Sequence, residues 1–132
     1  MENNLFAYGT LMCEDIMMEV AGCCPAHCRG ILTGYSRRPV RGEVYPALIP
    51  EEKGGVEGVL YFDISTHALE LLDQFEGEIY SRQTVEIRLP DETVVHAESY
   101  VLQQAFLHRI EETEWDFDNF LHHHKTNFLT EL

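Results

Sequence analysis

Basic residues are scarce in this chain. Nine lysines and arginines stand against 23 aspartates and glutamates, a formal net charge of −14 with histidine neutral. Such a surface repels phosphate backbones, and the densest basic patch is only Arg37, Arg38 and Arg41. Nucleic acid is therefore not an expected partner; the acidity serves solubility. No apolar run approaches the roughly 20 residues of a membrane-spanning helix. The opening MENNLFAYGT has neither a basic leader nor a long apolar stretch, so no secretory signal is visible and a cytoplasmic location is expected. Internal repeats, low-complexity segments and linkers are also missing. A chain of 132 residues, 45% hydrophobic and 24% charged, then reads as one globular domain over 1–132 with a real core. Nothing specifies an oligomer, and a monomer is the default.

Cysteine is sparse and clustered: Cys13, Cys23, Cys24 and Cys28 all lie near the start. A disulfide scaffold would spread its cysteines along the chain, so reduced thiols in a cytoplasmic protein fit better. The group CCPAHC offers Cys23, Cys24, His27 and Cys28, but a structural zinc site draws on two separated pairs, and adjacent Cys23 and Cys24 point apart. Small buried residues near a turn are the simpler reading. His122, His123 and His124, with His108, are a second candidate set, but the three are consecutive on a helical stretch and point about 100° apart, so only one or two could share a metal. His124 falls on an apolar stripe, and the other two are expected to be exposed. No metal or organic cofactor is expected.

What is present is a succession of periodicities. Residues 4–8 read as a strand ended by Gly9, and 12–21 as a helix, with Ile16, Met17 and Val20 on one face and Gly22 ending it. Residues 28–37 hold a strand. The stretch VYPALIP, 44–50, is an extended piece bent by two prolines, and GGVEGVLYFDI, 54–64, alternates as a further strand. From Ser65 the period becomes helical, with Ala68, Leu71, Leu72 and Phe75 on one face and Gly77 as the exit. TVEIRL and VVHAESYVL are two strands of a hairpin turning at Pro90, Asp91 and Glu92. A helix over 115–129 closes the chain, with Phe117, Phe120, Leu121, His124 and Phe128 as its stripe. About six strands, mostly antiparallel, with helices between them predict an α+β fold: a closed or nearly closed sheet with helices outside.

Two stretches carry chemistry. FAYGTLM places a glycine and a hydroxyl residue between a strand and a helix, a turn that aims several backbone N–H groups one way and suits a carboxylate. Many such turns use glycine for backbone reasons alone. In LDQFEGEIYSR, Glu76 sits at a helix C-terminus, where the dipole disfavours an anion, beside Phe75, Ile79 and Tyr80, which exclude water. Both effects raise a carboxyl's proton affinity and suit a general acid/base. The alternative is a plain surface acid near a cap. Glu78, Glu57 and Glu43 are other candidates.

Taken together, FAYGTLM, VEGVLYFDI, LLDQFEGEIYSR and a hairpin ending in SYVL resemble the gamma-glutamylcyclotransferase-like family, from residue 5 to residue 102. The pairing of a YGTL loop with a later LDxFEGxxYxR is what makes the resemblance specific; WDFDNFL resembles the endings of some bacterial members. The resemblance implies a six-stranded, mixed, mostly antiparallel barrel-like sheet flanked by helices. It implies that the backbone of Tyr8, Gly9, Thr10 and Leu11 binds a glutamyl end, that Tyr80 and Tyr100 line the pocket, and that Glu76 is the acid/base. Arg82, after Tyr80, would be structural. The implied partner is a small γ-glutamyl compound, whose α-amine attacks its own side-chain amide to give 5-oxoproline. A carboxylate-binding module on the same fold is the rival reading. Segments 36–50 and 102–114 are the expected pocket rims that would choose the substrate.

Overall fold

Period-two alternation builds the frame. The computed structural model describes residues 3–132. It contains five strands, β1 (Asn3–Ala7), β2 (His27–Pro39), β3 (Pro46–Ile64), β4 (Tyr80–Arg88) and β5 (Val94–Leu102). They close into a barrel in the order β1-β3-β2-β4-β5. The β1–β3, β2–β3, β2–β4 and β4–β5 pairs are antiparallel; β5 pairs in parallel with β1 and with β3. Helices α1 (Glu14–Ala21), α2 (Thr66–Glu76), α3 (Phe117–His123) and α4 (Lys125–Thr130) lie outside the sheet, with 3-10 turns at Thr10–Met12 and Gln104–Arg109. The expected α+β barrel flanked by helices is what forms. None of the helices among the described residues is long and apolar enough to cross a membrane.

The barrel has five strands and not six, because 46–50, the larger part of the extended piece 44–50, and 54–64 belong to one 19-residue strand. β3 runs beside β2 from Pro39 opposite Pro46 to His27 opposite Tyr61. Pro46 is tolerated as the strand's first residue, and Pro50 sits at an irregularity where Thr33 faces Gly55 but Tyr35 faces Pro50. A proline lacks the N–H of a regular ladder, and a bulge is where a sheet accommodates that lack. The prolines therefore bend the strand without dividing it.

Alternate residues of each strand fill the barrel. Phe6, Leu32, Leu48, Leu60, Ile87 and Val101 are among the inward side chains, each at most 3% exposed. Gly58 is fixed by space, since a Cβ there would lie 2.4 Å from the Ala7 carbonyl oxygen and 2.6 Å from the Phe6 ring. The opposite face of the strands packs on the helices through Leu5, Ala7, Tyr61 and Ile64, against Ile16 and Met17 of α1 and Leu72 of α2.

Of the two cap candidates the sequence offers at the start of α2, Ser65 and Asp63, it is the Ser65 hydroxyl that accepts the Ala68 N–H, at 3.1 Å. Its buried residues are Ala68, Leu69 and Leu72, while Leu71 and Phe75 are half-buried, so the stripe is rotated slightly from the expected one. It ends at Gly77, whose φ of 81° is disfavoured for residues with a Cβ.

The closing helix is two helices. Asp116 caps α3 through the Asn119 N–H, and the backbone leaves helical geometry at His124 (φ −129°, ψ −22°). The break folds α4 back, so that Phe128 meets Phe120 at 5.6 Å and Phe75 at 6.1 Å between ring centres. Lys125 then reaches Asp15 of α1 at 2.9 Å. His122 and His123 are exposed and His124 is half-buried. The four cysteines are free, Cys13 buried and the others half-buried. His27 is engaged with Glu14 at 2.8 Å and with the Pro25 carbonyl oxygen at 2.9 Å.

Candidate active site

β1 ends at Ala7, and the chain crosses the mouth of a cavity of about 260 Å³. The expected site residues converge there: Tyr8, Gly9, Thr10 and Leu11 from the turn, Glu76 from the end of α2, Tyr80 from β4 and Tyr100 from β5. Gly9 is required by space, because a Cβ would lie 2.9 Å from two ring carbons of Pro46. The turn's internal bonds begin with Met12 N–H to the Gly9 carbonyl at 3.0 Å. The N–H groups of Thr10 and Leu11 precede that bond and have no carbonyl of the turn to engage, as at any helix start. Arg37 braces this turn: its guanidinium donates to the Tyr8 carbonyl at 2.8 Å while lying 5.4 Å over the Trp115 ring. Trp115 is itself held by its indole N–H on the Val44 carbonyl at 2.9 Å.

Glu76 is the last residue of α2. The residue keeps some solvent access, yet its carboxyl is densely surrounded, and burial pushes its pKa up to about 8. The Asp73 carboxylate, one turn earlier, adds to that shift. Among the described residues, no cationic side chain lines the cavity to offset it. Glu78 is exposed and does not line the cavity, and the same holds for Glu57 and Glu43.

The tyrosines are anchored, and their hydroxyl protons are committed. Tyr8 donates to the Tyr100 carbonyl at 2.7 Å, Tyr80 to the Pro46 carbonyl at 2.7 Å, and Tyr100 to Asp73 Oδ1 at 2.7 Å. Burial, first of all, raises the pKa of each well above the ordinary tyrosine range. They are neutral walls of fixed orientation.

Other contributors are not evident from sequence pattern. Phe75, Phe128, Glu131 and Leu132 also line the cavity, together with Tyr45 and Pro46. Tyr45 lies in the segment 36–50 marked as a rim. Segment 102–114, also marked, lines none of this cavity. It is bonded instead to the turn between β2 and β3, through Arg41 N–H to the Arg109 carbonyl and Glu111 N–H to the Pro39 carbonyl. The chain's end takes its place because α4 folds back at His124. Asp73 was within the quoted motif, and its role as acceptor for Tyr100 depends on strand register that no local pattern encodes.

Comparison with known proteins gives the chain's family and its fold relatives. Residues 5–117 match the family described as gamma-glutamyl cyclotransferase, AIG2-like. AIG2-like protein C of Arabidopsis thaliana is 33% identical over 128 residues, covering 96% of this chain and 74% of that protein. AIG2-like protein D of the same plant is 30% identical, covering 96% and 84% respectively. A solution structure of an Arabidopsis thaliana protein superposes with a TM-score of 0.77 at 26% identity, over 99% of this chain and 79% of that one. A structure called gamma-glutamyl cyclotransferase shares the fold, with a TM-score of 0.72 at 15% identity over 84% of this chain and 69% of that one. The chain belongs to the AIG2-like gamma-glutamyl cyclotransferase family.

Proposed function

We propose that the protein cyclises γ-glutamyl amides, releasing 5-oxoproline and an amine, with Glu76 as the group that moves the proton. The observation that carries this reading is the carboxyl of Glu76, held in a cavity that no lysine or arginine among the described residues lines, with its pKa raised to about 8. An α-ammonium group titrates near ~8, and an ordinary glutamate near ~4.3. Proton transfer from the first to the second is uphill by about 5 kcal/mol. At Glu76 the two affinities nearly match, which is where general acid/base catalysis is most efficient.

In this reading the substrate's α-carboxylate lies against the N–H groups of the Gly9–Leu11 turn. That anchor and the rings of Tyr8, Tyr80 and Tyr100 fold the glutamyl chain so that its amine meets its own γ-carbonyl. Glu76 takes a proton from the ammonium. The freed nitrogen attacks the carbonyl carbon, and a five-membered ring closes. Glu76 returns the proton to the departing nitrogen as its bond to carbon breaks. A second proton follows the same route from ring nitrogen to leaving amine, which departs as ammonium. Atoms and charges balance without an oxidant or a water molecule.

Phe75, Phe128 and Leu132 supply an apolar wall for the leaving group, with Glu131 beside them. Without a lining cation, a second carboxylate in the substrate would go unpaired, which favours a γ-glutamyl amine over a γ-glutamyl amino acid. The test is a panel of both classes offered in ¹⁸O-labelled water. The expected product is unlabelled 5-oxoproline without free glutamate, faster from the amines. Labelled glutamate would mean hydrolysis, and tight binding without product would mean a binding module; either result overturns the reading.

A further inference from the structure

Asp73 and Glu76 lie three residues apart on α2, so their side chains are neighbours on the helix surface. Two carboxylates in the last turn oppose each other and the helix dipole alike. Two strand residues nonetheless bind the Asp73 carboxyl. Tyr100 donates to its Oδ1 at 2.7 Å and Arg82 Nε to the same oxygen at 2.9 Å. Arg82 also donates to Glu98 Oε1 at 2.8 Å, and Thr84 caps Glu98 Oε2 at 2.8 Å. Arg82 faces Tyr100 and Thr84 faces Glu98 in the β4–β5 register, so all four side chains share the face turned to α2. One guanidinium thus serves two carboxylates, and the cluster of Asp73, Arg82 and Glu98 keeps a net negative charge.

We propose that Asp73 is a positioning residue of this site: clamped by Arg82 and Tyr100, its carboxylate supplies the charge against which Glu76 takes up and gives back the proton. This rests on the reading of Glu76 as the proton carrier. The same clamp turns the Tyr100 hydroxyl away from a substrate and leaves its ring as the wall. Among the described residues, the other titratable groups lining the cavity with Glu76 are Tyr8 just after β1, Tyr45 just before β3, Tyr80 of β4, Tyr100 of β5, and Glu131 beyond α4, with Arg109 and Glu43 acting on Tyr45 and Tyr80 from outside it. The tyrosines are neutral in the working range, because burial raises each of them. After burial itself, the charge Glu76 registers is that of Asp73.

The test is the titration of Glu76 in the full, ligand-free chain, read from its side-chain carboxyl carbon by NMR and assigned with Glu76→Gln. Asp73→Asn keeps an acceptor for Tyr100 and removes the charge; the Glu76 midpoint is expected to fall by about 0.5–1 pH unit. Arg82→Met leaves the Asp73 charge less compensated, and the midpoint is expected to rise. Opposite displacements are not what a purely structural role would give, and Arg82→Met carries the test should Asp73→Asn not fold. An unmoved midpoint in both variants, or displacement in the same direction, overturns the proposal. The titration needs no substrate. Loss of the cyclotransferase reading would therefore show as absent 5-oxoproline with the coupling intact, and failure of the Asp73 role as normal turnover with an unmoved midpoint.

Discussion

The two faces of the same strands do different work. Inward from β1, β4 and β5 point Phe6, Val85, Ile87, Ala97 and Val101, a dry filling in which the hydroxyl of Ser99 is satisfied by the Phe6 carbonyl at 2.9 Å. Outward, under α2, the neighbouring residues are Tyr80, Arg82, Glu98 and Tyr100, facing Asp73 and Glu76. A strand's side chains alternate, so one-residue steps separate the barrel's filling from its chemistry. The inward cluster is closely packed, and Phe6 and Tyr8 at its end also line the cavity. The outer face leaves a cavity because α2 ends at Glu76 and the fold-back of α4 walls the gap only in part. The filling of the barrel and the carboxylates of the site thus sit on opposite faces of a shared backbone, with Tyr8 reaching the cavity from the inner cluster.

The largest expected effect strikes the outer face alone. Glu76→Gln removes the proton carrier while keeping the shape of the site. It should reduce turnover of a γ-glutamyl amide by about 10²–10⁴-fold with little change in binding, as steady-state kinetics and calorimetry would read. Leu60→Ala strikes the inner face alone. Leu60 is fully buried, and its truncation should lower stability by about 2–5 kcal/mol in urea unfolding. Turnover per folded molecule should stay near wild type well below the lowered midpoint. Comparable loss of turnover would mean that the two faces are not independent.

A smaller effect links the faces through stability. The folded carboxyl of Glu76 keeps its proton up to about pH 8, whereas an unfolded glutamate releases it near ~4.3. Between those values the native state binds the extra proton, so stability falls as pH rises. The neutral amide escapes that loss. Glu76→Gln should thus match wild type near pH 4 and exceed it at pH 8.5 by up to about 5 kcal/mol in paired unfolding curves. The smallest effect is expected from Gly9→Ala, where the new methyl meets the Pro46 ring at 2.9 Å. A shifted turn should raise KM several-fold, about 1 kcal/mol, and leave the acid limb of the pH profile in place.

Much of the frame was legible because it is written in local periods. The Ser65 cap, the helix that follows it and the alternation of 56–64 need only neighbours in sequence. So does the placing of Glu76 at a helix end beside apolar residues. The unity of β3 was not legible, because Pro50 reads locally as a breaker and is tolerated only through an irregularity opposite Tyr35. The break at His124 was hidden in a stripe that continues through it. Arg37 read as part of a basic patch; its bond to the Tyr8 carbonyl at 2.8 Å spans 29 positions. The Asp73–Tyr100 bond likewise spans 27 positions and depends on how β5 registers against β4.

The most direct measurement is 5-oxoproline release from a γ-glutamyl amine across pH, for wild type and Glu76→Gln side by side. The reaction needs an ionised Glu76 and a protonated amine, or the equivalent state with the proton on Glu76. Well below pH 8 both groups hold protons, so kcat/KM should climb about tenfold per pH unit and level off as pH approaches 8, where the Glu76 carboxyl ionises. The variant should lie at least about a hundredfold lower at every pH, its remaining rise with pH being that of the substrate's own ammonium losing its proton. A variant that keeps the wild-type rate and profile would contradict the assignment of Glu76 and, with it, the account of how this cavity works.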